Sequence, residues 1–357
     1  MKRSGISIFL LVLLVFSVYA CKPKSELIST PGTVFELNDT EIAYIVTGYT
    51  GDSKDIVISS IHNDLPVISI ADEAFLNLDN IESVALPDTI TSIGKDAFIG
   101  TNIKYFTVPV NLKYFGQALE INEVQVVLKE NHNYLKQMEI SGHKTIVTKD
   151  EKELLYVEIA KEADSIFVLP DNFEYIGPRA MSKTDFKEIF LPESLIEIKY
   201  AAFSFNSDTI IHLPSYLEVI GVAAFVKCRF TGNLVLPEGL SEVGALAFYE
   251  NALTSVVFPS TIEKIGRYVF DNSNNAFPNY NDIHTLTFNS YILQGDAHEQ
   301  FSSYFIFDNY RDTLIDTLTI YLPENEEQAS RLRQAILDSM EFAEDHISKE
   351  IEIIFIP

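Results

Sequence analysis

The chain has 357 residues, 47% of them hydrophobic, which is enough to bury a large core. Its formal charge is −25, from 26 Lys plus Arg against 51 Asp plus Glu. That balance argues against nucleic acid as a partner, because phosphates are held by cations. Two cysteines cannot make a disulfide framework or a Cys-rich zinc site.

In chain order, Lys2 and Arg3 precede an apolar run from Ile6 to about Phe16. This is a positive n-region and an apolar h-region too short to span a membrane comfortably. Val18-Tyr19-Ala20-Cys21 follows. A small residue directly before Cys, after such a run, resembles the lipobox of bacterial lipoproteins, with Val18 where Leu is commonest and a bulky Tyr19. The resemblance implies a signal peptide over residues 1–20, a lipid on Cys21 and a tether over 21–31. An ordinary secretory signal ending near a Cys is the other reading. Losing the cations Lys2 and Arg3 takes the charge from −25 to −27. No later run reaches about 18 apolar residues, so a lipid anchor is the only membrane contact expected. The tether has no acidic run after Cys21, which leaves surface and periplasmic placement both open.

The rest of the chain is a repeat. An apolar residue followed by Pro recurs at Leu86-Pro87, Val108-Pro109, Leu169-Pro170, Leu191-Pro192, Leu213-Pro214, Leu236-Pro237, Phe258-Pro259 and Leu322-Pro323. Consecutive prolines are 22, 61, 22, 22, 23, 22 and 64 residues apart. Six residues after each of the first seven prolines comes an Ile-Gly-like pair, as in Ile93-Gly94, Ile220-Gly221 and Ile265-Gly266. Four residues later comes an Ala-Phe-like pair, as in Ala97-Phe98, Ala202-Phe203 and Ala224-Phe225. The alternating stretch before Pro reads as a short strand, which Pro ends because it cannot donate to a ladder. Gly permits a turn or a close approach. One unit cannot bury its own apolar face, whereas stacked units can.

The pattern L-x-x-I-x-L-P-x-x-L-x-x-I-G-x-x-A-F resembles the BspA-type class of bacterial leucine-rich repeat over most of residues 56–325. The resemblance implies an α+β repeat solenoid: a leucine-rich repeat array with a parallel sheet on one face, an N-terminal hairpin cap and a C-terminal helix–strand cap. The cap spans 32–64, the solenoid 65–325 and the C-terminal cap 326–357. A hairpin near 140–159, of a kind that protrudes between coils in the family, fills the 61-residue gap. The helix of the second cap is expected from Ala329, Leu332, Ile336, Met340 and Ala343, which share one face, and the closing strand from Ile351 to Ile356. Lys199 stands in a Gly position and Met181 in a Phe position. Residues 271–282 read as a polar loop, and 289–316 as an elaborated loop or degenerate coil.

Chemistry is sparse. None of the seven His makes a His-Glu-x-x-His motif, and there is no Gly-x-Ser-x-Gly or Gly-rich phosphate loop. Cys228 shares a register with Thr101, Thr184, Asn206 and Asn251, which marks it as a buried structural thiol. No cofactor or metal site is expected. The strand phase instead picks out two outward columns. One holds Ala85, Thr107, Phe190, His212, Val235, Val257, Thr287 and Tyr321; the other Ser83, Tyr105, Glu188, Ile210, Asn233, Ser255, Thr285 and Thr319. Stacked at roughly 4.8 Å, they would form a continuous ladder. Its apolar members point either to a binding surface or to β-formers kept for strand stability. The candidate partner-binding residues are Tyr105, Thr107, Glu188, Phe190, Ile210, His212, Asn233, Val235, Val257 and Tyr321. Phe190, Ile210 and His212 should form one patch with Glu188 on its rim.

The reading that results is a monomeric, non-enzymatic adhesion or binding module. It is held in the cell envelope as an outer-membrane lipoprotein, at the surface or in the periplasm, and recognises a protein or carbohydrate. An envelope scaffold with a bacterial partner and a polymer-acting hydrolase are the alternatives. Cys21→Ala is expected to release the chain into the soluble fraction or stall its processing. Fractionation showing equal membrane association of wild type and variant would remove the lipid anchor.

Overall fold

The computed structural model describes residues 28–119, 124–160, 165–184, 186–207, 209–270, 283, 285–288, 317–323 and 350–356. Cys21, the loop 271–282, the stretch 289–316 and the expected cap helix lie outside these. Every regular element among the described residues is a strand, so the α+β expectation is corrected to an all-strand solenoid. The segment between Pro and the Ala-Phe pair forms short bridges and turns rather than helical structure, because the neighbouring coil, not the segment itself, supplies its hydrogen bonds.

Each coil has three hydrogen-bonded faces. The first is the expected strand before Pro. Ile166–Val168, Glu188–Phe190 and Ile210–His212 run parallel; Ile166 pairs with Glu188 and Glu188 with Ile210, while Val168 pairs with Phe190 and Phe190 with His212. The second is a ladder of two-residue strands: Tyr175–Ile176, Glu197–Ile198, Val219–Ile220, Glu242–Val243 and Lys264–Ile265. On the third, the amides of Ala201, Phe203 and Phe205 donate to the carbonyls of Val222, Ala224 and Val226 in the next coil. This face requires a left-handed residue at every fourth position, as at Ala201 (φ 52°) and Phe205 (φ 64°), or Ala223 (φ 58°) and Lys227 (φ 56°). Each costs a non-glycine residue roughly 1–2 kcal/mol. Only the intercoil bonds and the packing beneath them hold it there.

The Gly of the Ile-Gly pair serves close approach, not an unusual φ. A Cβ on Gly221 would lie 2.8 Å from the Ile198 carbonyl oxygen, and one on Gly244 would lie 2.4 Å from the Val222 nitrogen. Inside, Phe203, Phe225, Phe248 and Phe270 stack face to face with centroids 5.3, 5.3 and 5.7 Å apart. Met181 is fully buried in the same register. Beside them runs a buried polar column. Asn206 Nδ2 donates to the Phe203 and Met181 carbonyls, Asn251 Nδ2 to that of Phe225, and Cys228 Sγ lies 3.0 Å from the Phe203 oxygen. Burial pushes the Cys228 thiol up to about 12, as befits a structural residue.

At the N-terminus, Thr33–Leu37 and Tyr44–Tyr49 form an antiparallel hairpin, and the second strand pairs in parallel with Leu65–Ile70. At the other end, Glu350–Ile356 pairs along its whole length with Thr317–Pro323, close to the closing strand expected.

The largest departure lies between residues 130 and 160. The hairpin expected near 140–159 is present as His143–Thr148 and Glu153–Glu158, but it does not protrude: Leu135–Ile140 extends it into a three-stranded meander. Its last strand pairs in parallel with Tyr175–Ile176 and so founds the two-residue ladder. The last two strands are buried on both faces. Val147, Leu154 and Val157 pack in the core that runs on to Leu286; Ile146, Leu155 and Tyr156 pack in the core that begins at Val46. The meander is thus a wall between two apolar stacks. Buried His132 holds its entry. Nε2 donates to the Pro109 carbonyl at 2.8 Å, and Nδ1 accepts from the Tyr134 and Leu135 amides. Burial holds this imidazole below its usual range, consistent with a neutral ring.

Lys199 explains itself here. Its ammonium reaches Glu153 Oε1 at 2.9 Å, tying solenoid to wall. Glu153 is 4% exposed; burial raises its carboxyl above the usual range, and Lys199 opposes the rise.

Two expectations follow. Phe225→Ala or Phe248→Ala should each cost about 3–5 kcal/mol in denaturant unfolding, since each leaves a cavity in the stack. A loss below about 1 kcal/mol at both sites would contradict the packing. Lys199→Met should destabilise by about 2–3 kcal/mol at pH 7, because it strands a buried carboxylate. A carboxyl raised in the folded state binds more protons than in the unfolded chain, so its penalty grows as pH rises and vanishes as pH falls toward the unfolded value. The gap between variant and wild type should therefore narrow at pH 5, and Glu153→Gln should close it. A gap independent of pH would show that Glu153 is not its source.

Candidate functional site

The first face sorts side chains as strand alternation requires. Phe106, Val108, Ile189, Ile211 and Val256 point into the core. Tyr105, Thr107, Phe190, Ile210, His212, Asn233 and Val235 are exposed, while Glu188 and Val257 are half-buried. Tyr321 lies in a strand whose backbone pairs Tyr321 with Thr287, and only its backbone is described.

These residues do not form one continuous ladder. The face is divided among separate sheets. Tyr105 and Thr107 pair with Gln125 and Val127; Asn233 and Val235 pair with Ser255 and Val257. One break separates Ser83–Ala85, which pairs with Asp55–Val57, from Tyr105–Val108. The next is the wall, which intervenes before Ile166–Val168. A further break falls where consecutive prolines of the lattice, Pro214 and Pro237, are 23 residues apart rather than 22. There the backbone turns left-handed at Arg229 and Gly232 before the next strand settles.

The middle sheet gathers Phe190, Ile210 and His212 as expected. Phe190 and His212 stack with centroids 4.8 Å apart and planes 11° from parallel. His212 Nε2 is 2.8 Å from Glu188 Oε1. Glu188 is thus inside the patch rather than on its rim, flanked by Ile166 and Ile210 in the ladder. Ile166 and Val168 also belong to the patch, at 43% and 51% exposure beside 58% for Ile210. The columns drawn from the sequence passed over this strand, although Leu169-Pro170 sits on the proline lattice and would have placed both residues outward.

The surface is therefore four apolar side chains around one imidazole–carboxylate pair, presented on rigid strands. It offers shape and apolar area to a partner, and the pair supplies hydrogen-bonding capacity at its centre. Among the described residues no three His, Cys, Asp or Glu side chains converge as metal ligands. No helix among them is long and apolar enough to cross a membrane.

A sequence profile for the BspA type leucine rich repeat region matches six copies over residues 53–146 and 163–277, more than half of the chain. The gap between the matched stretches falls on the second half of the wall. Among solved structures, the chain is similar to the pneumococcal vaccine antigen PcpA at 19% identity, covering 83% of this chain and 61% of that one, with a TM-score of 0.47. It is also similar to a leucine rich cell surface protein from Faecalibacterium prausnitzii at 14% identity, covering 74% and 95% of the two chains, with a TM-score of 0.44. A leucine-rich repeat protein from Eubacterium ventriosum shows 13% identity over 70% and 95% of the two chains, with a TM-score of 0.38. The chain spans about 61% of the length of the pneumococcal antigen. No curated protein matches.

Proposed function

The chain belongs to the BspA-type leucine-rich repeat family, and we propose that it is a non-enzymatic binding or adhesion module of the bacterial cell envelope. Its partner is a protein or glycan held on the sheet formed by Ile166–Val168, Glu188–Phe190 and Ile210–His212. The observation that carries this reading is the patch itself. Four apolar side chains on adjacent strands face water together, where a β-former kept only for strand stability would need no such clustering. A flat, rigid apolar centre with one polar pair is the make-up of an interface core, and aromatic anchors such as Phe190 dominate binding energy when they fill a partner's pocket. The charge of −25 disfavours a polyanion at this face. The segment ending at Cys21 supports an envelope address with a lipid as the anchor.

The test is capture of surface proteins and glycans by the purified chain, comparing wild type with Phe190→Ala plus Ile210→Ser. The double variant should lose at least about tenfold in affinity, since each anchor is worth on the order of 1–2 kcal/mol or more. Its melting temperature should stay close to wild type, because both side chains face outward. Undiminished binding by the variant would move the site elsewhere.

A further inference from the structure

A concavity lies where the wall meets the two-residue ladder. Tyr114 and Tyr175 occupy the same position of the repeat, two residues before Gly116 and Gly177, on opposite sides of the wall in the sequence. In an unbroken stack they would be neighbours on one column; here a cleft of about 370 Å³ opens between their coils. That is within the range of roughly 300–1,000 Å³ common for small-ligand sites.

Glu153 lines the cleft, and its partner Lys199 lines the adjoining concavity behind Tyr114. The Lys199 ammonium lies 5.6 Å from the Tyr114 ring centroid and 4.9 Å from that of Tyr175, so the two rings flank it. Lys113 stands against Tyr114 with its ammonium 5.0 Å from the ring centroid. Lys113, Lys149 and Lys152 line the cleft, and Lys152 is paired with Glu174 at 2.5 Å. Among the described residues, neither Lys113 nor Lys149 has a carboxylate within ion-pair distance. Asp150 also lines the cleft and is held by Thr148 Oγ1 at 2.5 Å. In a chain of net charge −25, a concavity lined by more cations than anions is a local reversal of the surrounding field.

We propose that this cleft binds an acidic sugar unit, carboxylated or sulfated, at the end of a glycan chain. Tyr114 and Tyr134, exposed at the cleft, and the half-buried Tyr175 offer ring surface to the C–H face of a pyranose, and Lys113 and Lys149 offer charge-assisted hydrogen bonds to its acid group. The acidic surface beyond the cleft sets the length of the ligand. A terminal acid unit stays within reach of the lysines, while a long polyanion would run onto like charge. This site is separate from the apolar patch, and its test does not depend on that reading.

The test is isothermal titration of the purified full chain with methyl β-glucuronide, glucose 6-sulfate and methyl β-glucoside as the neutral counterpart. At least one acidic sugar should bind roughly tenfold or more tightly than the glucoside, and whichever of the two binds identifies the acid group. Its affinity should fall as salt is raised. Lys113→Ala plus Lys149→Ala should remove that preference with the melting temperature unchanged, because both side chains lie outside the core. Tyr114→Ala should weaken all three sugars together. Phe190→Ala plus Ile210→Ser should leave the titration as in wild type. Equal binding of acidic and neutral sugars, no binding of either, or full binding by the double lysine variant would overturn the proposal.

Discussion

The fold depends on one constraint: each coil can satisfy its backbone polar groups only by bonding to the coil above and below. An unpaired buried amide or carbonyl costs of order 1–3 kcal/mol, and every coil presents several on each of three faces. The spacing between coils is therefore fixed by hydrogen-bond length, and side chains must fit that spacing. The stacked phenylalanines at 5.3–5.7 Å are ring packing at the ladder's own repeat. Asn206, Cys228 and Asn251 meet backbone groups the coil leaves over. The left-handed residues at Ala201 and Phe205 are the strain accepted so that the third face can pair at all.

The same constraint decides what the surface can do. A side chain that faces outward does so in every coil, so a stack of identical coils would present uniform columns with nothing to choose between partners. Selectivity has to come from what individual coils place in those columns and from where the columns stop. In the middle sheet, Phe190 stacks on His212 because the ladder sets them side by side, and Glu188 reaches the imidazole diagonally for the same reason.

Much of this was legible in the residues because the proline lattice states the register directly. Once Pro192 and Pro214 are aligned, the outward places of Phe190 and His212 and the inward place of Ile189 follow from strand alternation alone. The buried place of Cys228 followed from its alignment with Asn206 and Asn251. What could not be read was any feature whose own residues carry no local signal for it. The two-residue ladder leaves almost no alternation pattern, so its segments carried no strand signal. Gly100 fills one left-handed position, but Ala201, Phe205, Lys227, Leu246 and Tyr268 fill others, because the neighbouring coil and not local preference holds them. The wall shows apolar residues on both faces of its last two strands, a pattern that marks a buried strand but does not say that two different cores bury it.

The wall also shows why departures from a repeat concentrate in one place. Separating the stack into two cores leaves coil surfaces that no copy of the coil covers, and the meander must cover both. To do so it brings a carboxylate, Glu153, into a nearly water-free position. That would be untenable in a regular array, where the facing residue is Gly. The coil that departs from Gly, at Lys199, is the one whose cation reaches this carboxylate. A long side chain at that position in turn sets its ammonium between Tyr114 and Tyr175, two residues that line the cleft. Irregularity, compensation and concavity are therefore linked steps. A solenoid acquires a place unlike any other on its surface by interrupting the pairing that otherwise makes all its places alike.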